Sequence, residues 1–220
     1  MGNLKKTALM IAVLVMTAFA FSKNYYVKQI LIADANGDGK MDTTYQETYI
    51  SDELIIISDE FSRSYLDNDS FTFYNTSDSS YFKKTYKELE EVMNSTDSQL
   101  SNFELTKTTE TKKIGPWKAA KYFGKAKVMD MEMSLDMYIA KDTGFPVDLM
   151  IRQQDKMQKK SKNIKIMTDK IKATGGIVVK EVARIGGEVV SEKEIKTMKV
   201  IDKIESKMAQ RPKGFKEMKK

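Results

Sequence analysis

Apolar side chains occupy every second position of the stretch Met129-Asp-Met-Glu-Met-Ser-Leu-Asp-Met-Tyr-Ile139. A period of two is typical of a β-strand with one apolar face and one wet face. Four of the six apolar residues are methionine, whose unbranched side chain adapts to irregular apolar shapes. Two interpretations follow: this face is ordinary sheet core, or it receives a soft apolar ligand.

The segments on both sides of this stretch have the aromatic and β-branched content of strands. We expect strands over residues 25–33, 43–50, 54–58, 61–66, 71–74, 103–113, 117–123, 177–185 and 188–201, and a further strand from 146 to 152. Residues 117–123 should pair antiparallel with the methionine stretch around Gly124. Helical spacing instead marks residues 83–100 and 155–173. This pattern predicts an α+β fold, a large curved antiparallel sheet with helices on one face.

The first twenty residues have the pattern of a signal peptide. Lys5 and Lys6 precede a short apolar run, and Ala18-Phe19-Ala20 has the small-x-small form of a cleavage site. The run is shorter than the roughly 20 residues of a membrane span, although an uncleaved anchor is the alternative. We therefore expect residues 1–20 to be removed and residues 21–218 to form one domain with a basic tail. The mature protein should be soluble, in the periplasm or the cell envelope.

Composition excludes several classes of protein. The 220 residues include no cysteine and no histidine, so disulfides, thiol catalysis and the common serine and cysteine triads are excluded. The formal net charge of +6 is mild and mixed, which does not indicate nucleic-acid binding. Ser80-x-x-Lys83 and Asp142-Thr143-Gly144 lack the companion motifs that acyl-enzymes and aspartic proteases need. We expect a protein that is not an enzyme.

One loop has the oxygen ligands of a calcium site. In Asp34-x-Asn36-x-Asp38-Gly39-Lys40-x-Asp42, the side chains of Asp34, Asn36, Asp38 and Asp42 and the backbone carbonyl of Lys40 occupy ligand positions of a calcium-binding loop. Position 12 is Tyr45 rather than glutamate, and the preceding segment is predicted as strand. The alternatives are a weak structural calcium site and a glycine-rich hairpin turn whose aspartates cap backbone amides.

Several short motifs, taken together, resemble a known superfamily. They are Tyr49-Ile-Ser-Asp-Glu-Leu-Ile-Ile-Ile57, Phe71-Thr-Phe-Tyr-Asn75 followed by Lys83-Lys-Thr-Tyr-Lys-Glu-Leu89, Ile114-Gly-Pro-Trp-Lys-Ala-Ala-Lys-Tyr122, Tyr138-Ile-Ala-Lys-Asp-Thr-Gly-Phe-Pro146 and the closing Pro212-Lys-Gly-Phe215. In this order, after a signal peptide, they resemble the exported lipoprotein-carrier superfamily and its uncharacterised periplasmic branch. The resemblance implies an unclosed half-barrel whose concave apolar face is covered by helices and which carries lipid or acylated cargo there.

The predicted function is therefore to bind a lipid, an acyl chain or another apolar ligand on the concave face of a curved sheet. The candidate contacts are Met129, Met131, Met133, Leu135, Met137 and Ile139, with Leu54, Ile56, Phe71 and Phe73 as further candidates. The alternative is a calcium-stabilised envelope scaffold or interaction protein with a filled core. Calcium is the one cofactor that the sequence suggests.

The late helical segment is basic. Its lysines suit an anionic membrane surface, although a solvated helix face gives the same pattern; they are Lys156, Lys159, Lys160, Lys162, Lys165, Lys170 and Lys172. We expect a monomer with no nucleic-acid partner. The tail from Lys203 onward, apart from Pro212 to Phe215, is expected to be loose.

Overall fold

A computed structural model describes residues 23–34, 39–89, 100–128, 131–147 and 162–218, which form one open sheet of twelve strands. The strands are β1 (Asn24–Ala33), β2 (Asp42–Ile50), β3 (Ile55–Ser58), β4 (Ser62–Leu66), β5 (Ser70–Asn75), β6 (Ser80–Thr85), β7 (Leu100–Ile114), β8 (Trp117–Val128), β9 (Met131–Ala140), β10 (Ile177–Ile185), β11 (Glu188–Ile201) and β12 (Lys216–Glu217). Helix α1 (Lys162–Ala173) precedes β10, helix α2 (Ser206–Ala209) follows β11, and residues 86–89 are also helical.

The strand order is β12-β6-β5-β4-β3-β2-β1-β11-β10-β9-β8-β7. Two runs of consecutive antiparallel strands, β1 to β6 and β7 to β11, are joined where β1 pairs with β11. The short β12 adds to β6 in parallel. Strands β7 and β12 lie at opposite ends of the order, so the sheet is unclosed. The predicted α+β class with a large antiparallel sheet is therefore confirmed.

The registers assign each strand residue to one of two faces. We call the face that carries Met133, Leu135 and Met137 the inner face. Because opposed residues in antiparallel strands point to the same side, the pairing of Met137 with Glu181 and of Glu181 with Lys193 carries this face across β10 and β11. The opposite side is the outer face.

Two apolar clusters hold the apolar side chains of the inner face. In the first, α1 packs its apolar side chains Ile164, Met167 and Ile171 with those of Met133, Leu135, Met137 and Ile139. The second includes the inner-face residues Tyr25, Val27, Ile50, Ile55 and Leu66 of the first strands, and it extends to Tyr138 and Ala140 of β9, which alternate with Met137 and Ile139. Phe145, from the segment after β9, packs its ring 4.9 Å from that of Tyr25. Inner-face packing thus joins the two halves of the sheet.

The C-terminal segment packs on the outer face, which corrects the expectation of a loose tail. Met208 of α2 is buried with Ile56, Tyr65 and Tyr74, and Phe215 packs edge-on against the ring of Tyr74 at 5.2 Å. The basic residues of the tail are exposed while these two apolar residues are anchored. The basic composition of the tail therefore does not indicate that this segment packs on the sheet.

Two further expectations change at element boundaries. Residues 83–85 continue strand β6 rather than starting a helix, because Phe82 stacks on Phe73 and Tyr81 on Tyr74 across β5 and β6. Such cross-strand aromatic pairs stabilise a strand even where the sequence has helical spacing. The pairing of β8 with β9 is confirmed, but Gly124 lies in mid-strand opposite Leu135 rather than at a turn.

The strand expected from residue 146 to residue 152 is not present at 146–147, and its other residues lie outside the described ranges. The same is true of residues 90–99 and 155–161 of the two predicted helices and of the whole predicted signal peptide. No helix within the described residues is long and apolar enough to cross a membrane.

Candidate functional site

The methionine stretch forms most of strand β9, and its apolar residues face α1. Met133, Leu135 and Ile139 are almost fully buried, and Met137 is 0% exposed. Met131 begins the strand opposite Val128 and is half-buried. Met129 lies outside the described residues. The predicted ligand-contacting stripe is therefore a continuous apolar surface, and α1 packs on it.

Gly124 on β8 leaves room for the side chains of this stripe. A Cβ atom at this position would lie 3.1 Å from both the Met137 methyl carbon and Cε2 of Phe103. Contacts that short require neighbouring atoms to move. Glycine on β8 therefore lets Met137 and Phe103 approach the backbone, and the methionine side chain fills the space that a larger residue would take.

The four further candidate residues divide between the two faces. Phe71 lies on the inner face, where it packs against the cluster around Tyr25; Phe73 shares that face two residues along β5. Ile56 and Leu54 belong to the outer cluster around Tyr65 and Met208. The structure therefore brings the phenylalanines to the same side of the sheet as the methionine stripe, and Leu54 and Ile56 to the other side.

A buried charged pair adjoins the methionine stripe. Glu181 on β10 is 2% exposed and lies opposite Met137 on β9. Lys193 on β11 lies opposite Glu181 and is 3% exposed. Burial raises the pKa of the Glu181 carboxyl, and the nearby Lys193 charge lowers it in part. Burial lowers the pKa of the Lys193 ammonium, and the Glu181 charge opposes that shift.

Polar groups continue from this pair along the inner face. Gln29 on β1 pairs in register with Gln46 on β2, and the Gln29 amide donates a hydrogen bond to the Gln46 side-chain oxygen. Both residues are buried, as is Ser191 on β11. The middle of the inner face is thus polar, although apolar clusters lie on both sides of it.

Glu181 and Lys193 were not among the predicted site residues, but the sequence holds a signal for Glu181. Glu181 shares its alternation parity with Val179, Ala183 and Ile185, so it occupies an apolar position of the strand pattern. Lys193 carries no such signal, because its neighbours of the same parity, Ser191 and Ile195, are not both apolar. Charged residues are rarely buried unless they are paired. Glu181 at an apolar position therefore predicts a buried carboxyl with a partner, but alternation does not identify Lys193 as that partner.

The outer face behind the site carries a partly exposed ionic network. Asp136 accepts from Lys121 at 3.2 Å and from Arg184 at 2.9 Å. The hydroxyl of Tyr138 donates to Glu110 at 2.8 Å. Cross-strand ion pairs of this kind are ordinary on a solvated sheet face. They account for the polar residues that alternate with the methionines.

The predicted calcium loop joins β1 to β2. Asp34 and Asp42 lie at the ends of these strands, and Asp34 Oδ2 accepts a hydrogen bond of 3.1 Å from the Gly39 amide. Gly39 has a φ of +86°, which favours glycine. Asn36 and Asp38 lie outside the described residues. Within the described ranges, no group of three acidic residues could hold a metal ion. The hydrogen bond suits the hairpin-turn alternative, and calcium binding stays a prediction.

The basic helix is described from Lys162 onward. Lys162, Lys165, Lys170 and Lys172 are exposed, and Lys170 Nζ donates a hydrogen bond of 2.9 Å to the Phe103 carbonyl oxygen on β7. Lys165 pairs with Asp169 one turn along. Lys156, Lys159 and Lys160 lie outside the described residues.

Comparison with known proteins shows similarity of structure. No protein-family model matches the chain, and no curated protein is detectably similar to it in sequence. An uncharacterised conserved protein of Thermus thermophilus aligns over 96% of this chain and 98% of its own, with a TM-score of 0.52 and 9% identity.

Two further solved structures align less well. PNGF-II aligns over 89% of this chain and 32% of its own, with a TM-score of 0.43 and 14% identity. The MucA/MucB complex of Pseudomonas aeruginosa aligns over 96% of this chain and 61% of the matched chain, with a TM-score of 0.39 and 9% identity. The Thermus likeness shows a shared fold, and the lower scores carry no argument.

Proposed function

We propose that this chain is an exported, non-enzymatic protein that binds a lipid, an acyl chain or another apolar ligand on the concave inner face of its sheet. The packing of α1 on the methionine stripe of β9 carries this proposal. Within the described residues, the amphipathic helix α1 occupies the surface where the ligand would lie. In this proposal the helix moves, and ligand atoms replace Ile164, Met167 and Ile171.

The chemistry of the stripe supports such an exchange. Methionine has three rotatable bonds and a polarizable sulfur, so it repacks against differently shaped partners. Burying apolar surface contributes roughly 25 cal/mol per Å². The ligand must offset both the lost contacts of α1 and the cost of association. A long acyl chain supplies enough apolar area, whereas a small solute does not.

The setting of this function follows from the sequence motifs. We propose that the signal peptide directs the chain to the periplasm or envelope, where it acts as a monomer within the lipoprotein-carrier superfamily. Helices would cover the concave face, as in that superfamily. The exposed lysines of α1 would bring the helix to an anionic membrane surface.

Native mass spectrometry of protein purified gently from the exported fraction tests the proposal. We expect a stoichiometric adduct of acyl-chain mass, which organic extraction removes. Amide hydrogen exchange within residues 162–173 should quicken when ligand is present, because α1 leaves the stripe. A clean unliganded mass that persists after incubation with lipid vesicles would contradict the proposal.

A variant pair locates the binding face. Met131→Asp places a charge at the half-buried start of the stripe, and Ser134→Asp places one on the outer face of the same strand. We expect the first variant to lose ligand and the second to retain it, with both folded by circular dichroism. Equal retention would remove the stripe from the site.

One observation favours a second function, that of a calcium-stabilised envelope scaffold. Met137 is 0% exposed, as in a filled core. This alternative predicts no bound lipid and a melting temperature that rises with calcium. The Asp34→Asn variant would then melt alike in calcium and in chelator. Equal melting of the unmodified protein in both solutions would remove the metal from this alternative.

A further inference from the structure

Glu181 carries a buried oxygen that needs a donor. Within the described part of the chain, Oε2 of Glu181 has no hydrogen-bond partner and almost no solvent exposure. An unsatisfied buried oxygen costs free energy, and more when it is charged. Native structures contain few such groups, and each calls for a physical explanation.

The position of this oxygen points to the ligand face. Glu181 lies directly opposite Met137, so its carboxyl adjoins the methionine stripe. Two residues further along β10, the inner face continues with Ala183, opposite Ser191 of β11 and Leu135 of β9. Small side chains at Ala183 and Ser191 flank the carboxyl on that side. A polar group at one end of an acyl chain could therefore approach Oε2.

The charge of the pair limits which polar group fits. Lys193, opposite Glu181, already interacts with the carboxylate through its charge. A phosphate or carboxylate head would add a net negative charge to a site of low dielectric, where uncompensated charge is costly. An uncharged donor, such as a hydroxyl or an amide N–H, satisfies Oε2 and leaves the net charge unchanged.

We infer that Glu181 binds the head of the ligand and that the ligand is a single-chain amphiphile with an uncharged, hydrogen-bond-donating head, such as a monoacylglycerol, a fatty alcohol or a fatty amide. This inference rests on the proposed function, because the acyl chain must lie along Met133, Leu135 and Met137. It adds the class of ligand and assigns the head to Glu181.

The test compares ligands that share one acyl chain. Monooleoylglycerol has a donor head, methyl oleate has none, and oleate is charged. Binding of each to the unmodified protein is measured by displacement of a fluorescent fatty probe. We expect monooleoylglycerol to bind about tenfold more tightly than methyl oleate, the value of one good hydrogen bond. Oleate should bind no better than methyl oleate.

A matched pair of double variants assigns the preference to Glu181. Glu181→Leu with Lys193→Met replaces the buried pair by apolar groups, a change that folded proteins often tolerate. Glu194→Leu with Lys180→Met makes the same change on the outer face of the same two strands, where Lys180 Nζ lies 3.3 Å from Glu194 Oε2. The first should abolish the preference for monooleoylglycerol, and the second should retain it.

The outcomes separate the inference from the proposed function. If no oleoyl compound binds, the proposed function fails and the inference fails with it. If all three bind equally to the unmodified protein, or if oleate binds best, the function stands and the inference is wrong. A preference that survives in the Glu181→Leu, Lys193→Met variant would also overturn it. The ligand comparison needs no variant, so it decides even if that variant does not fold.

Discussion

The hydroxyl of Tyr65 is shared between two backbone carbonyl oxygens of the C-terminal segment, that of Met208 at 3.1 Å and that of Gln210 at 2.7 Å. Tyr65 is 0% exposed and lies on β4, in the outer cluster with Met208. The guanidinium of Arg211 lies 5.1 Å from its ring centroid. The buried side chain of Tyr65 thus contacts Met208, Gln210 and Arg211 and holds the C-terminal segment against the sheet.

Replacing Tyr65 by phenylalanine should release this segment. The ring would still fill its site, but the two carbonyl oxygens would lose their donor, and that of Met208 would lose it in a buried place. We expect the free energy of unfolding to fall by about 1–2 kcal/mol. Amide exchange of residues 206–218 should quicken more than that of strands β1 to β11. Urea unfolding and hydrogen exchange measure the two effects.

Tyr45→Phe is the matched control for this prediction, because Tyr45 is 59% exposed on the same sheet. The same chemical change there should alter stability by less than about 0.5 kcal/mol. If the two variants have equal stability, the hydrogen bonds of Tyr65 do not hold the C-terminal segment.

Much of the fold could be predicted from alternation alone. The hairpin of β10 and β11 has two glycines at its turn and a period of two on both sides, and the structure confirms it. The docked C-terminal segment could not be predicted in this way. Its anchors, Met208 and Phe215, are isolated apolar residues in a basic stretch. Only the tertiary pairing with Tyr65 and Tyr74 makes them core residues.

The candidate site was predictable only in part, for a related reason. Alternation placed Met133, Leu135 and Met137 on one face, as the structure shows. It could not relate this face to Phe71 or separate it from Ile56, since strand order decides which faces coincide. The alternation of residues 177–185 predicts a strand but does not assign Glu181 to the site. The charged residue at an apolar position was the available signal.

Gly176 should not tolerate a larger residue. A Cβ atom there would lie 2.7 Å from the Ala140 carbonyl oxygen and 2.7 Å from Cγ2 of Ile139. The carbonyl belongs to β9 and cannot move without disturbing the sheet. We expect Gly176→Ala to lower the free energy of unfolding by about 1–3 kcal/mol, measured by urea unfolding.

Gly124→Ala is a useful comparison for Gly176→Ala. Its closest contacts, at 3.1 Å, are the end of the flexible Met137 side chain and the edge of the Phe103 ring. The smaller overlap should make this variant less destabilised than Gly176→Ala. If Gly124→Ala is instead the more destabilised variant, the backbone of β9 adjusts more readily than the side chains of Met137 and Phe103 do.

Two partly buried tyrosine hydroxyls that contact Glu47 make the free energy of unfolding depend on pH in alkaline solution. Glu47 accepts hydrogen bonds from the hydroxyls of Tyr26 at 2.8 Å and Tyr49 at 3.0 Å. Burial and then the contact with Glu47 raise the pKa of Tyr49 to about 12 and also raise that of Tyr26. Because the folded pKa lies above the unfolded value of 10.0, this contribution is complete below pH 10.0 and is lost as pH rises through about 12.

Titration of phenolate absorbance and urea unfolding at rising pH measure this dependence. In Glu47→Gln the pKa of Tyr49 should fall but stay above 10.0, because burial is the larger cause of its shift. The double variant Tyr26→Phe, Tyr49→Phe should lose that part of the alkaline dependence. A steeper dependence in the double variant would contradict the assignment.

The Asp67 carboxylate should make the packing of the C-terminal segment sensitive to acid. It accepts from the amides of Asp69 at 3.0 Å and Ser70 at 2.7 Å, and from Arg211 at 2.7 Å. Burial alone would raise the pKa of Asp67, but these hydrogen bonds and the Arg211 charge together lower it below 3.8. The contribution is therefore present above pH 3.8 and is lost as pH falls through the folded pKa.

Asp67→Asn should accordingly reduce stability near neutral pH by about 1–2 kcal/mol, since the bonds to an ionised acceptor are the stronger ones. The difference from the unmodified protein should shrink as the solution is acidified. The Arg211→Gln variant removes the ion pair but keeps the hydrogen bonds from the turn amides to Asp67, so it distinguishes these two contributions. Both partners are partly exposed, so a double-mutant cycle should give a coupling of only about 0.2–1 kcal/mol. A coupling as large as the whole Asp67→Asn effect would mean that the ion pair, rather than the β4–β5 turn, holds this carboxylate.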